Sequence, residues 1–119
     1  MSIRERFRAT KKQEIKDSAA AAKPLSGNDK AADKLKVQEM AGRIAEQQAI
    51  LYASHQRKIL VVLQGMDTSG KDGAVNGVFD SVNPQGMRVV SYKAPSSHEL
   101  QRDYLWRIHQ QVPMQGELV

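Results

Sequence analysis

Residues 59–72 read Ile59-Leu60-Val61-Val62-Leu63-Gln64-Gly65-Met66-Asp67-Thr68-Ser69-Gly70-Lys71-Asp72. The run from Ile59 to Leu63 has no polar break and is β-branched or leucine throughout, the pattern of a strand buried on both faces in a parallel sheet, expected here over 59–64. From Gly65 onward the spacing fits G-x-x-x-x-G-K. Its glycines let the backbone curl until successive N–H groups point inward as an anion-binding nest, and the helix opening at the loop's end adds the positive end of its dipole. Lys71 supplies a point charge for phosphate oxygens. An apolar strand before the loop and an amphipathic helix after it form the context in which this spacing grips phosphate instead of making a plain glycine turn. The expected phosphate-binding set is Gly65, Met66, Thr68, Ser69, Gly70, Lys71, Asp72 and Gly73, with Asp67 and Lys71 as its catalytic members.

One position departs from the usual nucleotide-binding pattern. Asp72 stands where a Ser or Thr hydroxyl would hold Mg²⁺, and a carboxylate among phosphate donors repels a bare anion. Asp67 is accordingly the candidate Mg²⁺ ligand, since hard cations favour carboxylate oxygens. Asp72 could share that role or serve as a favourable partner of the helix dipole in the first turn.

Outward from the loop, Ala74, Val75, Val78, Phe79 and Val82 recur at helical spacing, which predicts a helix over 72–82 ended by the turn Asn83-Pro84-Gln85-Gly86. Residues 87–94 read as a second strand. Ser96-Ser97-His98-Glu99 matches a capping box and opens a helix expected over 97–112, stopped by Pro113. Gly116-Glu117-Leu118-Val119 reads as the start of a third strand. On the other side, Leu35, Val37, Met40, Ala41, Ile44, Ala45, Ile50 and Leu51 mark an amphipathic helix over 29–57 that needs a partner surface. Residues 1–27, rich in Lys, Arg and Ala and ending in Pro24, Ser26 and Gly27, are expected to be a mobile or partly helical arm. The order is a βαβαβ plan, an α/β fold whose ligand site lies at the carboxyl ends of parallel strands.

Composition narrows the function classes. A chain of 119 residues is one domain at most, and the absence of Cys removes disulfides and thiolate metal sites. No apolar stretch approaches the roughly 20 residues needed to cross a bilayer, and the charged Met1 to Arg8 stretch is unlike a secretory signal, so a cytoplasmic, non-membrane protein is expected. The net charge of +5 is unevenly spread: residues 1–58 carry 13 basic and 7 acidic side chains, residues 59–119 carry 5 and 6. With aromatics at 5% there is no series of stacking platforms, and the cations are interleaved with acids, so nucleic acid is not the expected partner. His55, His98 and His109 share no metal-ligand spacing.

The segment Leu63-Gln64-Gly65-Met66-Asp67-Thr68-Ser69-Gly70-Lys71-Asp72-Gly73, followed by Asn83-Pro84-Gln85-Gly86, Tyr92-Lys93-Ala94-Pro95-Ser96 and Tyr104-Leu105-Trp106-Arg107, closely resembles the polyphosphate kinase 2 family. The resemblance covers about residues 45–119 and roughly the N-terminal half of such a kinase. It implies a P-loop kinase-like three-layer α/β/α fold with a parallel sheet, incomplete here and truncated after the start of the third strand. It further implies Mg²⁺-dependent phosphoryl transfer between inorganic polyphosphate and a nucleoside mono- or diphosphate, and a homo-oligomer. The family's loop aspartate and lysine match Asp67 and Lys71, and GKD in place of GK[ST] is the family's own pattern, so Asp72 favours the match. Leu105-Trp106-Arg107-Ile108-His109-Gln110 with Pro113 and Gly116-Glu117 is similar to members that accept both mono- and diphosphates. The family's Asn-Arg-Ser stretch, its second acidic metal site and its basic lid lie beyond the matched region.

Lys93 and Arg107, near the expected strand ends, are candidate phosphate contacts, the Lys as a point charge and the Arg as a fork; surface or helix ion pairing is the alternative for each. Trp106 is expected in the core, with base stacking as the alternative. Two functions follow: a polyphosphate:nucleotide phosphotransferase, or an inactive phosphate-binding module that acts by assembly with another chain through its incomplete sheet edge.

Overall fold

The computed structural model describes residues 2–9, 16–19 and 21–119, apart from the side chain of Asp17. In the N-terminal arm, α1 (Ile3–Arg6) is a single turn closed by a capping box, Ser2 accepting from the Glu5 amide while Glu5 accepts from the Ser2 amide. A short 3₁₀ turn covers Asp17–Ala19. The rest of the expected arm between them, residues 10–15, lies outside the described residues.

The long helix α2 (Lys30–Ser54) begins where the Asp29 carboxylate accepts from the Ala31 and Ala32 amides at 2.9 and 3.2 Å, satisfying two donors that the first turn leaves open. It ends three residues before the expected limit, because His55 turns left-handed (φ 49°) and its Nδ1–H donates to the Gln115 carbonyl at 3.1 Å. Ala41, Gln48 and Leu51 face inward. The helix packs against α3 (Lys71–Phe79), whose Val75, Val78 and Phe79 are half-buried, and against the 3₁₀ turn Pro84–Gly86. That turn is fixed by Asn83, which accepts from the Gln85 amide, and by close approach: a Cβ on Gly86 would lie 2.8 Å from Tyr52 Cδ2.

The helix expected over 97–112 is two short ones, α4 (Ser97–Leu100) and α5 (Trp106–His109). The capping box at Ser96 and Glu99 is present, but Asp103 diverts the chain. Its carboxylate accepts from the Leu105 amide and its carbonyl from the Trp106 amide, a local turn that competes with continuous helix.

Neither 59–64 nor 87–94 forms the full strand expected. Among the described residues the sheet consists of two parallel bridges, Ile59 to Leu118 and Met87 to Leu118. Leu118 therefore sits between the other two segments. Backbone bonds run from Ile59 N–H to Glu117, Val119 N–H to Ile59 and Val61 N–H to Val119 on one side, and from Leu118 N–H to Gly86 and Arg88 N–H to Leu118 on the other. Pairing extends as far as 117–119 reaches, since a strand needs a neighbour to satisfy its ladder. Ala41, Leu51, Val82 and Leu118 are buried, as is Pro113, while Leu60, Val61, Val62 and Leu63 are exposed. The apolar run of the first strand is thus uncovered over most of its length.

Candidate active site

The loop between Leu63 and α3 is shaped by two left-handed residues. Gly70 (φ 84°) is the N-cap of α3 and takes this conformation without a Cβ penalty. Thr68 (φ 61°) is β-branched, where left-handed backbone is a strained outlier. The Asp67 carboxylate supports it by accepting from the Thr68 amide at 3.1 Å. Ser69 N–H donates to the Met66 carbonyl, closing the curl.

No side chain caps α3, and the first backbone bond of this helix runs from Ala74 N–H to Gly70. The amides of Lys71, Asp72 and Gly73 accordingly have no partner among the described residues, and they open on the same side as the helix dipole. Asp72 lies exposed in that first turn, a position in which its charge favours the dipole.

Lys71 folds back over the loop. Its Nζ donates to the carbonyls of Gly65 at 2.8 Å and Met66 at 2.7 Å and to Ser69 Oγ at 3.2 Å. The ammonium thus rests on the oxygens of its own loop. Gly65 permits this, because a Cβ there would stand 2.5 Å from Ser69 Oγ. Beside it an open cleft of about 340 Å³ is lined by Val62, Leu63, Gln64, Ser69, Gly70, Lys71 and Ala74. The structure thus gathers Gly65, Met66, Asp67, Thr68, Ser69, Gly70, Lys71, Asp72 and Gly73 into one loop and helix start.

Lys93 and Arg107 are brought together with each other, and among the described residues no hydrogen bond or ion pair joins them to the loop. The Arg107 guanidinium donates to the Lys93 carbonyl at 3.0 Å, lies 4.8 Å over the Tyr92 ring and stands 3.8 Å from Glu99. Tyr92 Oη returns a bond to the Arg107 carbonyl at 3.1 Å. Hydrogen bonds from the Ser96 amide and hydroxyl region, reinforced by Arg107, hold the Glu99 carboxyl below its ordinary range. Arg107 is thereby committed to the backbone at Lys93, a role that the spacing of residues did not reveal; the Tyr92 ring upstream was the available signal. Trp106 is half-buried, with Arg102 stacked 4.5 Å over it and His98 edge-on at 5.5 Å. No group of three or more His, Cys, Asp or Glu capable of holding a metal occurs among the described residues. No helix among them is long and apolar enough to cross a membrane.

Residues 27–119 match the family model described as Polyphosphate kinase 2. The chain is 60% identical over 77 residues to an AMP/ADP-polyphosphate phosphotransferase of Meiothermus ruber, covering 65% of this chain and 29% of that protein. It is 43% identical over 76 residues to an ADP-polyphosphate phosphotransferase of Rhodopseudomonas palustris, covering 64% and 26%. Among solved structures it superimposes on the crystal structure of Polyphosphate Kinase 2 from Arthrobacter aurescens with a TM-score of 0.83 and 33% identity, over 93% of this chain and 41% of that one. It therefore spans under half the length of each of these relatives. With the loop geometry, the family match over 27–119 and a structural neighbour of the same name in agreement, this chain belongs to the Polyphosphate kinase 2 family.

Proposed function

We propose that this chain supplies the phosphate-gripping part of a polyphosphate:nucleotide phosphotransferase, moving a phosphoryl group between inorganic polyphosphate and a nucleoside mono- or diphosphate. The observation that carries the reading is the loop itself: three free amides at the start of α3 beside a Lys71 ammonium held only by loop oxygens. The named activities of the Meiothermus ruber and Rhodopseudomonas palustris relatives support polyphosphate as donor or product and AMP or ADP as acceptor.

Phosphoryl transfer is mostly positioning plus neutralisation of charge spread over phosphate oxygens. The amides of Lys71, Asp72 and Gly73 orient one phosphate group by direct donation. Lys71 leaves the Gly65 and Met66 carbonyls for the incoming anion, so its charge follows the phosphoryl group. Mg²⁺ fits the residues present, because this ion keeps several waters and takes one or two carboxylates together with substrate phosphates. Asp67 would hold it, and the ion would supply Lewis-acid neutralisation of the phosphate charge. Asp72 completes the first turn as a dipole partner. The P-loop three-layer arrangement with a parallel sheet, a cytoplasmic location and a homo-oligomeric state belong to the same reading.

The test incubates the purified chain, beside Lys71→Ala, with Mg²⁺, long-chain polyphosphate and AMP or ADP. Nucleotide products are quantified and polyphosphate affinity is measured by equilibrium binding. A hydrogen bond to a charged group contributes about 1.5–3 kcal/mol, so Lys71→Ala should weaken polyphosphate binding roughly 10- to 150-fold and abolish product. Equal affinity of the two proteins would refute the assignment of the loop.

A further inference from the structure

The positive charge of this chain is concentrated outside the stretch that the family model matches. Residues 1–26 carry 7 basic and 3 acidic side chains, whereas residues 27–119, which hold the phosphate loop, carry 11 and 10. The net charge of +5 is thus almost wholly a property of the arm. In α1 and the residues after it, the acid is turned onto the backbone and the cations onto solvent. Glu5 accepts from the Ser2 amide at 2.8 Å, while Arg4, Arg6 and Arg8 are exposed and held by no hydrogen bond or ion pair among the described residues. The root of the arm repeats this arrangement. Asp33 of α2 accepts from the Ser26 hydroxyl and from the Gly27 amide at 3.4 Å, and the Asn28 amide donates to Ser26 Oγ at 3.0 Å. Beside these bonds an open cleft of about 380 Å³ is lined by Lys23, Ser26, Asn28, Lys30 and Asp33, so a lysine of the arm and a lysine of α2 border one space.

We infer that the arm, through Arg4, Arg6 and Arg8 and through Lys23 with Lys30 at its root, is a second contact for inorganic polyphosphate, separate from the loop, and makes the protein select long chains over short ones. The identity of the polyanion rests on the phosphate reading of the loop. A long polymer that occupies the loop runs on past it and still offers charge at every phosphate, whereas tripolyphosphate is used up at the loop. Two sites on one polymer turn the second binding event into an intramolecular one, so affinity rises with chain length without any change at the loop. The loop and the arm need not adjoin, because the polymer itself spans the distance. Salt screens exposed charges beyond about 8 Å at physiological ionic strength, so these cations act by closing on the polymer and releasing its counterions, not by a field felt at the loop. Nucleic acid is the poorer occupant. Phe7 is the one aromatic side chain of residues 1–26, which leaves bases nothing to stack on in series, while polyphosphate has no bases and asks only for charge.

The experiment titrates the full 119-residue chain and its triple variant Arg4→Gln, Arg6→Gln, Arg8→Gln with tripolyphosphate and with long-chain polyphosphate, from about 50 to about 200 mM salt. The triple variant should bind the long chain roughly tenfold or more weakly at the lowest salt, and its slope of log affinity against log salt should fall by about 2, at about 0.7 for each cation removed. Its affinity for tripolyphosphate should stay within about twofold of the parent, and its Tm should not move, because the three side chains are exposed. Lys23→Gln with Lys30→Gln should show the same loss confined to the long chain. Lysine at positions 4, 6 and 8 should restore parental binding, since charge and not guanidinium shape is required. Removing three exposed charges from α2 instead, as Lys34→Gln, Lys36→Gln and Arg43→Gln, should change long-chain affinity by no more than about twofold. Lys71→Ala separates the two readings: unchanged tripolyphosphate affinity in that variant refutes the loop assignment, while a loss confined to long chains in the arginine variant still identifies the arm. Equal losses for short and long chains, no loss for the long chain, an equal loss from the α2 variant, or tighter arm-dependent binding of single-stranded RNA of matched charge would each overturn the inference.

Discussion

Gly65→Ala probes the loop without touching a charge. A Cβ at this position would meet Ser69 Oγ at 2.5 Å and Ser69 Cβ at 3.1 Å, with Lys71 Cδ at 3.8 Å. The first approach is shorter than real Cβ contacts, so the loop must shift. Residues 60–70 are exposed, and in the free protein the loop can relax into solvent at little cost. Phosphate binding demands the curled form in which the amides converge, so the strain appears in the complex. Overpacking of this kind costs about 1–3 kcal/mol, which weakens phosphate affinity roughly 5- to 150-fold while thermal stability stays nearly constant. The double variant Gly65→Ala with Ser69→Ala removes the 2.5 Å contact and leaves the milder 3.1 Å one, so most of the loss should return. Isothermal titration of tripolyphosphate into the four proteins of this cycle measures the coupling. If Gly65→Ala binds within twofold of the parent, or if Ser69→Ala restores none of the loss, the close approach at Gly65 has no part in shaping the site.

Other consequences are more local. Gln48 is 2% exposed and both polar atoms of its amide lack partners, so Gln48→Met should stabilise the fold by about 1–3 kcal/mol, read as a rise in Tm of several degrees; a fall would mean the amide is satisfied by water. Glu117 accepts from the Met114 amide at 2.9 Å and from Arg88 at 3.4 Å, and these bonds hold its carboxyl below the ordinary 4.5. A lowered folded value means the stabilisation is present above that ordinary value and lost as pH falls through the folded one. Glu117→Gln should therefore reduce stability at pH 7 and flatten its loss below about pH 4.5, and parallel curves from chemical denaturation would contradict this. Finally, Lys93→Ala should reduce the slope of log affinity for polyphosphate against log salt by about one counterion, whereas Arg107→Gln, its side chain committed to the Lys93 carbonyl and Tyr92, should lower Tm and leave the slope alone. An equal slope change for both would return Arg107 to the phosphate contacts.

What was legible in the sequence was local. The Ser96 and Glu99 capping box, the Asn83 turn and the glycine spacing of the loop depend on residues within a few positions of one another, and each is present. The helix expected over 97–112 missed because Asp103 offers the backbone a turn that periodicity does not weigh. The order of the sheet, with Leu118 between Ile59 and Met87, is a pairing across more than 50 residues on one side and about 30 on the other, and no short-range pattern encodes it. At the site, the residue types were readable while two geometric facts were not. Thr68 adopts left-handed backbone only because Asp67 and the loop closure hold it there, and Lys71 spends the ligand-free state on its own carbonyls.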